Sequence, residues 1–461
     1  MTEKTGPHST SCNMLDSFID EITPEDISDT SIETLGAPTI TSPLAASGNY
    51  SCFVHDSDRV MAFLSEKNLR QIMEKREDEG RFSFELAGPR SKIYFDPVKT
   101  RCAIVTCGGL CPGINDVIRS IVLTLYYGYG VRNITGIRYG LRGFIPEYGL
   151  PVMDLTPDAV NSIHEQGGTV LGSSRGPQPV EEIVNALERM NINALFIIGG
   201  DGTFRAGAAI HEEIRKRNVK ISIIAIPKTI DNDIYLVHKT FGFDTAVDVA
   251  CHAIRSAHVE ATGAPNCIGI VKLMGRYAGF IAAAATIALR DVNFCLIPES
   301  DFDLDGDNGF LAAVEKRIAE RGHAVVVVAE GAGQKFFRDR TDRDLSGNIK
   351  PGDIGTYLRD RIKEHFSSRD KEIFVRYIDP SYIIRSVPAN VDDRLYCGNL
   401  GQNAVHAAMA GKTAMMLSMW NSRFVHVPLR EATQKSKQVN LKSRFWLSVL
   451  ESTGQPPMKN S

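Results

Sequence analysis

Residues 194–203 read Ala-Leu-Phe-Ile-Ile-Gly-Gly-Asp-Gly-Thr, an apolar run that stops at a glycine-rich turn around one carboxylate. Such a run, without alternating polar residues, is typical of a parallel strand that is covered on both faces. The glycines around Asp201 would let a bulky group approach the backbone, and an exposed carboxylate at a strand end can hold Mg²⁺ beside phosphates. The structural alternative is that Asp201 only caps the next helix.

Five other apolar runs have the same character and alternate with amphipathic stretches. The six predicted strands cover residues 103–106, 194–198, 221–226, 267–272, 293–297 and 324–329. After the first strand, apolar residues from Ile114 to Leu125 recur at helical spacing, which indicates one buried helical face. Repeated strand–turn–helix units predict an α/β fold with open parallel sheets that carry helices on both faces. The length of 461 residues predicts two or three domains.

The ends of these strands carry the residues that could do chemistry. Ligands of open parallel sheets bind at the carboxyl ends of the strands. The first strand is followed by Gly108 and Gly109, and the third by Lys228-Thr-Ile-Asp231-Asn-Asp233. Phosphoryl transfer to an alcohol requires a base for the hydroxyl proton and fixed positive charge for the phosphoryl oxygens. The segment from Lys228 to Asp233 contains both, although a solvated loop could have the same residues.

Three further segments contain groups suited to a sugar phosphate. The fourth strand ends in Met274-Gly-Arg276, the sixth ends at Glu330, and Arg376 and Arg385 follow later. A guanidinium fork matches the oxygens of a phosphate group. Each arginine taken alone could equally be a surface residue.

The composition argues against several classes of protein. The formal net charge is −3, so no basic excess points to a nucleic acid or to an anionic membrane. No apolar run is long enough to span a bilayer, and the N-terminus does not resemble a secretory signal. The nine cysteines are scattered, which indicates reduced thiols. We therefore expect a cytoplasmic protein with no nucleic-acid or membrane partner.

Taken in order, the quoted segments resemble the ATP-dependent 6-phosphofructokinase family, in particular its pyrophosphate-like branch of plants and trypanosomatids. The resemblance covers roughly residues 95–435 and rests on six motifs at strand ends. It implies two doubly wound, mainly parallel, three-layer α/β domains with an N-terminal extension. It also implies Mg²⁺ as cofactor and ATP and fructose 6-phosphate as substrates, with transfer to O1 to give fructose 1,6-bisphosphate and ADP in glycolysis.

The resemblance assigns roles residue by residue. Asp231 matches the general base and Asp201 the Mg²⁺ ligand. The implied catalytic residues are Asp231, Asp233, Lys228 and Arg276. The implied nucleotide contacts are Gly109, Arg175, Gly176, Gly200, Asp201, Gly202 and Thr203. The implied sugar-phosphate contacts are Thr229, Ile230, Asp231, Met274, Gly275, Arg276, Glu330, Arg376, Tyr382 and Arg385.

Two positions bear on the phosphoryl donor. Pyrophosphate-using relatives have Asp where this chain has Gly202, and the glycine leaves room for the α-phosphate of a nucleotide. Lys228 is nevertheless the residue that pyrophosphate users have. The combination resembles ATP-dependent members of the pyrophosphate-like branch, and a pyrophosphate-dependent enzyme is the alternative.

Other features bear on assembly and substrate binding. Arg376 lies six residues before Tyr382, the spacing of an arginine that family members lend to a neighbouring subunit, so we expect a homodimer or homotetramer with shared sites. Cys267 stands where bacterial ATP enzymes have an arginine, so the 6-phosphate needs other cations. The effector-binding residues of the bacterial enzymes cannot be matched in this chain. A regulatory sugar-phosphate-binding subunit is the non-enzymatic alternative, but Asp201 and Asp231 argue against it. A dinucleotide-binding oxidoreductase is excluded because the first turn lacks Gly-x-Gly-x-x-Gly.

The chain is expected to divide into four regions. Eight acidic residues against one basic residue within 1–50 predict a mobile or loosely docked arm. The predicted regions are an N-terminal extension (1–95), a nucleotide-binding domain (96–242 with 384–435), a sugar-phosphate-binding domain (243–383) and a C-terminal tail (436–461).

Overall fold

The six apolar runs predicted as strands all form strands, and they are divided equally between two parallel sheets. A computed structural model describes residues 22, 26–48, 50–66, 68–70, 82–337 and 350–460. The strands are β1 (Glu33–Thr34), β2 (Ile40–Thr41), β3 (Arg59–Met61), β4 (Ser83–Leu86), β5 (Lys92–Ile93), β6 (Arg101–Thr106), β7 (Asn133–Ile137), β8 (Met153–Asp154), β9 (Ala194–Gly199), β10 (Ser222–Pro227), β11 (Cys267–Leu273), β12 (Phe294–Leu296), β13 (His323–Ala329), β14 (Phe374–Ile378), β15 (Lys412–Thr413), β16 (Met415–Trp420) and β17 (Arg423–Pro428).

Helices connect most of these strands. The α-helices are α1 (Pro43–Ala46), α2 (Ile114–Leu123), α3 (Val180–Arg189), α4 (Asp201–Lys216), α5 (Phe243–Thr262), α6 (Phe280–Leu289), α7 (Phe310–Arg321), α8 (Ile354–Ser367), α9 (Val391–Met409), α10 (Leu429–Ala432) and α11 (Arg444–Thr453). A π-helical turn, Thr124–Tyr129, continues α2. Short 3₁₀ turns cover Gly140–Phe144, Pro146–Tyr148, Ile163–Glu165 and Gln334–Phe337. In the part of the chain that the structure describes, no helix combines the length and the apolar character needed to cross a bilayer.

The larger sheet has nine strands in the order β3-β4-β17-β16-β10-β9-β6-β7-β8. Its five central strands, from β16 to β7, are parallel, and antiparallel strands extend both edges. The smaller sheet has four strands, all parallel, in the order β12-β13-β11-β14. β1 pairs with β15 and β2 with β5 in separate two-stranded sheets.

Three hydrophobic cores hold these layers together. The largest extends from the large sheet at Phe196 to the small sheet at Val271 and includes Ile254 of α5 and Leu400 of α9. The opposite face of the large sheet packs on α3 and α4, and the opposite face of the small sheet packs on α7 and α8. Each sheet is therefore the middle of three layers, which confirms the predicted doubly wound α/β class.

The prediction of a loosely docked N-terminal arm is wrong for the described residues 26–48. Ile27 and Leu44 are buried, and β1 pairs with β15 near the other end of the chain. Asp29 forms an ion pair with Arg430, and Asp26 lies 2.5 Å from the Nζ of Lys435. The acidic residues therefore have basic partners that are distant in sequence, which a local count of charges does not detect.

The predicted C-terminal tail, 436–461, contains a helix in its described part, up to residue 460. Helix α11 buries Phe445, Trp446 and Val449, and the Phe445 ring lies 6.0 Å from that of Phe280 at the start of α6. Strands β3 and β4 lie within the predicted N-terminal extension but extend the large sheet. The domain boundaries themselves stay a prediction.

A buried ion cluster joins the added edge strands to the large sheet. The Glu85 carboxylate of β4 lies 2.8 Å from Arg90 Nη2, 3.0 Å from Lys412 Nζ and 3.1 Å from His426 Nδ1. Burial raises the pKa of Glu85, but the hydrogen bond with His426 and the charge of Lys412 outweigh that effect and bring the pKa to about 2. Asp56 contacts Arg90 and Lys412 of this cluster from an exposed position.

We predict that Glu85→Gln lowers the free energy of unfolding by about 3–5 kcal/mol, because it leaves two buried cations without their buried counter-charge. The measurement is urea unfolding at neutral pH. The matched control is Asp56→Asn, for which we expect less than about 1 kcal/mol because the Asp56 side chain is 58% exposed. Because folding lowers the pKa of Glu85 from 4.5 to about 2, its contribution should be complete above pH 4.5 and decline as the pH falls toward 2. Equal losses in the two variants would contradict this account.

Candidate active site

Three neighbouring strands of the large sheet end at the same edge. In the sheet β9 lies between β6 and β10, and the register pairs Thr106 with Ile198 and Gly199 with Pro227. The turns that follow these strands carry Gly108 and Gly109, Asp201 to Thr203, and Lys228 to Asp233. The parallel arrangement therefore brings the first three predicted segments to one edge of the sheet.

Lys228 connects two of these turns. Its side chain is buried, its backbone N–H donates to Gly199 O at 2.9 Å, and its Nζ donates to Gly109 O at 2.7 Å. Burial lowers the pKa of the Lys228 ammonium, and repulsion by Arg175 adds to the effect, whereas Asp231 raises it. Its Nζ is thus held between the Gly108–Gly109 turn and Asp231.

Two arginines flank Gly109. A Cβ atom at that position would lie 3.1 Å from Arg175 Nη2 and 3.5 Å from Arg385 Nη1, so it would crowd Arg175 and come into ordinary contact with Arg385. The guanidinium of Arg385 also lies 4.8 Å from the centre of the Tyr382 ring. Predicted nucleotide and sugar-phosphate residues therefore meet at this turn.

Asp231 and Asp233 occupy the turn after β10. The Asp231 N–H donates to Thr229 Oγ1 at 3.1 Å, and Asp231 Oδ1 is buried without a hydrogen-bond partner. Burial raises the pKa of Asp231 well above its usual range, and repulsion by Asp233 and Glu330 adds to the effect. Burial also raises the pKa of Asp233, and repulsion by Asp201 adds to the increase. The carboxylates are therefore close enough to repel one another, as in a site that is completed by a cation.

Asp201 is the first residue of α4 and is partly exposed. Its Oδ2 lies 2.9 Å from Arg205 Nη2, one helical turn later. No side chain caps this helix, because the N-cap is Gly200. Asp201 therefore does not act as the N-cap, and its carboxylate lies at a helix N-terminus. Helix N-termini favour anions such as phosphate.

Gly202 and Thr203 complete the first turn of α4. A Cβ atom at Gly202 would meet nothing within 4 Å, so open space adjoins this position. Thr203 is buried, and a Cβ atom at Gly199 would lie 2.4 Å from its Oγ1, so the turn must begin with glycine. Gly176, after Arg175, has a positive φ of 94°, which glycine adopts without strain.

The small sheet contributes the other side of the site. After β11, Gly275 has a φ of 129°, and a Cβ atom there would lie 2.7 Å from Ala278 O. The N–H of Glu330 donates to Leu273 O at 2.9 Å, which places Glu330 beside the Met274–Arg276 turn. Burial raises the pKa of Glu330, while Lys272, Arg276 and Arg385 lower it. Glu330 also raises the pKa of Asp231, so the turn after β13 lies near the turn after β10. The cleft is the space between these ends of the two sheets.

Some predicted site residues lie elsewhere. The side chain of Ile230 is buried in the hydrophobic core and can reach a ligand only through its backbone, and Met274 packs partly against the same core. Arg376 is exposed on the edge strand β14, where its Nε lies 3.4 Å from Glu260 Oε2. Tyr382 is 74% exposed.

Sequence reasoning missed two residues that bear on the site. Lys437 lies in the segment predicted as a tail, yet its Nζ donates to Asn232 Oδ1 at 3.0 Å, between Asp231 and Asp233. Lys272, within β11, lies 2.8 Å from Asp379 and affects the pKa of Glu330. Neither lies in a glycine-rich turn, and Lys437 stands among polar residues, which give no local signal of burial.

Across the described ranges, no group of three histidine, cysteine, aspartate or glutamate residues is close enough to hold a metal ion by itself. Mg²⁺ commonly takes only one or two carboxylates and completes its shell with water and substrate phosphates. The unpartnered Asp231 Oδ1 and the mutual repulsion with Asp233 therefore fit a divalent cation that arrives with a phosphate ligand.

Known proteins match both the sequence and the fold. A sequence model described as Phosphofructokinase matches residues 101–408. An ATP-dependent 6-phosphofructokinase of Borreliella burgdorferi is 54% identical over 411 residues, covering 86% of this chain and 92% of the relative. ATP-dependent 6-phosphofructokinase 7 of Arabidopsis thaliana is 45% identical over 426 residues, covering 91% and 86%.

A solved structure extends the likeness to the fold. The pyrophosphate-dependent phosphofructokinase from Marinobacter aquaeolei has a TM-score of 0.65 at 20% identity and covers 77% of this chain and 91% of its own. At that identity the likeness concerns the fold alone. The family match spans more than half of the chain, and the two relatives are similar over most of their length. This chain belongs to the phosphofructokinase family.

Proposed function

We infer that this chain phosphorylates fructose 6-phosphate at O1 with Mg-ATP, giving fructose 1,6-bisphosphate and ADP in glycolysis. The observation that carries this inference is the meeting of Lys228, Asp231 and Glu330 in one cleft between the two sheets. The names of the relatives from Borreliella and Arabidopsis support ATP as donor. A coupled assay with fructose 6-phosphate and Mg²⁺, run in parallel with ATP and with pyrophosphate, tests the acceptor and the donor together.

We propose that the large sheet binds the nucleotide and the small sheet binds the sugar phosphate. The contacts around Gly109 and the open space at Gly202 support a phosphate chain along the N-terminus of α4. Arg276, after β11, supplies a positive charge for the sugar phosphate, and Glu330, after β13, supplies a hydrogen-bond acceptor. On this proposal the two sheets are the centres of the predicted domains 96–242 with 384–435 and 243–383.

Asp231 is the proposed general base. Its carboxylate takes the proton of the C1 hydroxyl as the hydroxyl oxygen forms a bond with the γ-phosphorus, and the bond from that phosphorus to the ADP oxygen breaks. The fixed ammonium of Lys228 and the guanidinium of Arg276 compensate negative charge on the phosphoryl oxygens. When bound, Mg²⁺ supplies further positive charge at the phosphates, and Asp201 is the residue that would hold it, with Asp233 nearby.

Arg376 is proposed to act in the site of a neighbouring subunit. It lies on the outer strand of the small sheet, and its contact with Glu260 joins two exposed side chains, so it is easily given up. An arginine on a sheet edge can extend its guanidinium to a second copy of the chain. The active enzyme would therefore be at least a homodimer.

We predict that Asp231→Ser lowers kcat by at least about 10²-fold, because the hydroxyl proton loses its acceptor. The measurement is steady-state turnover together with calorimetric ADP binding, which should be retained. Asp158→Ser, an exposed aspartate, is the matched control and should keep full activity. A variant that keeps most of its turnover would show that Asp231 is not the base.

For the donor, we predict that Gly202→Asp lowers kcat/KM for ATP by about 10²-fold, since a carboxylate in the open space beside α4 would repel the α-phosphate. Gly202→Ala is the matched control for size and should remain within about threefold of the wild type, because a Cβ atom meets nothing within 4 Å. Equal losses in the two variants would mean that space, and not charge, matters at this position.

The shared site predicts complementation between two inactive variants. Asp231→Ser and Arg376→Ala are each expected to have low activity, but coexpression should restore about a quarter of the wild-type rate through mixed dimers with one intact site. The control pair, Asp231→Ser with Lys228→Met, should recover nothing because both changes lie in the same subunit's site. Failure of the first pair to exceed the control would place Arg376 outside the partner's site.

A further inference from the structure

Residues 436–439 run between the turns that carry the two halves of the cleft. Ser436 pairs with Ile234, and the N–H of Lys437 donates to Asp233 O at 2.9 Å. The next residue turns to the small-sheet side, where Gln438 Nε2 donates to Tyr277 O at 3.1 Å. The segment therefore contacts the base-bearing turn and the sugar-side turn through successive residues.

The side chain of Lys437 is directed into the base-bearing turn. It is 2% exposed, and its Nζ donates to Asn232 Oδ1 at 3.0 Å, to Val237 O at 2.8 Å and to His238 O at 3.0 Å. A lysine ammonium has three N–H donors, and all three of these acceptors lie within residues 232–238. Burying a lysine is costly unless its charge is compensated by such contacts. This arrangement therefore indicates that Lys437 has a specific role at the turn.

Asn232 is the residue through which this contact reaches the carboxylates. Its φ is 54°, a left-handed conformation that asparagine tolerates better than most residues. Its Oδ1 accepts from the Thr240 N–H at 3.0 Å as well as from Lys437. Asp231 and Asp233 flank it, so the conformation of Asn232 sets how the two carboxylates lie relative to one another.

The charge of Lys437 also acts on the same turn. It lowers the pKa of Asp233, against the effects of burial and of Asp201. The other charged groups that act on this pair are Glu330, which raises the pKa of Asp231, and Lys228 and Arg385, which lower it. The ammonium lies 5.1 Å from the centre of the Phe280 ring of α6, a contact with the small-sheet side.

We propose that Lys437 is a positioning residue for phosphoryl transfer, which holds the Asp231–Asp233 turn in its catalytic conformation through Asn232. The segment 436–439 at the same time ties that turn to the Tyr277 turn, so that base and sugar keep their spacing. This proposal rests on the proposed role of Asp231. It concerns a residue that touches neither reacting group and acts through its neighbours.

The test compares Lys437→Met, Lys437→Arg and the control Lys442→Met, an exposed lysine five residues later. Rates are expressed per binding site counted by calorimetric titration with ADP. We expect Lys437→Met to lower kcat by about 10²-fold with KM values within about threefold, because the turn shifts while the binding surfaces remain. Lys442→Met should match the wild type.

The conservative variant separates positioning from general stability. Lys437→Arg keeps the positive charge and should therefore recover part of the turnover that Lys437→Met loses. Its kcat per site should still fall at least about fivefold, because a planar guanidinium does not repeat the compact ammonium geometry.

An unchanged kcat per site in Lys437→Met, or a loss that appears in KM instead of kcat, would overturn the proposal. If Lys437→Met fails to fold, Lys437→Arg decides in its place, and a wild-type kcat in that variant would overturn it. Asp231→Asn, assayed alongside, separates the two assignments. Full turnover in Asp231→Asn would contradict both the base role of Asp231 and the positioning role of Lys437. Lost turnover in Asp231→Asn together with a wild-type kcat per site in Lys437→Met would contradict only the positioning role.

Discussion

Asp231 and Asp233 lie in one buried turn, where burial and neighbouring carboxylates raise the pKa of each. Holding like charges together away from water is unfavourable unless cations and hydrogen bonds compensate it. Two buried lysines supply this compensation from opposite sides. Lys228 holds the turn to the Gly109 carbonyl, and Lys437 holds it through Asn232 and two further carbonyls. The geometry proposed for catalysis depends on this balance of charge.

The two sheets make the balance possible because each contributes from the ends of its parallel strands. β6, β9 and β10 deliver the glycine turns, Asp201 and the Lys228–Asp233 segment to one edge. β11 and β13 deliver Arg276 and Glu330 from the other side. A continuous core through α5 and α9 fixes the two sheets relative to one another, so the cleft between them has a defined width.

The ends of the chain have a larger structural role than their composition suggests. The described part of the N-terminal segment pairs its acids with Arg430 and Lys435, and α11 packs its aromatic residues on α6. The segment between α10 and α11 crosses the cleft and carries Lys437. The residues that surround the site are therefore drawn from a stretch of the chain between Gly108 and Lys437.

Unbroken apolar runs and glycine turns are local patterns, so the α/β class, six of the strands and the chemistry at their ends could be predicted from the sequence. Strands such as β7, β14, β16 and β17 were missed, since their runs contain polar residues or lie beside others of similar character. The folded chain was needed to show that Asp201 is not an N-cap, that Ile230 is buried and that Lys437 reaches the turn of Asp231. Those facts depend on contacts between residues far apart in sequence: Lys437 and Asn232 are 205 positions apart, and no local pattern encodes such a hydrogen bond.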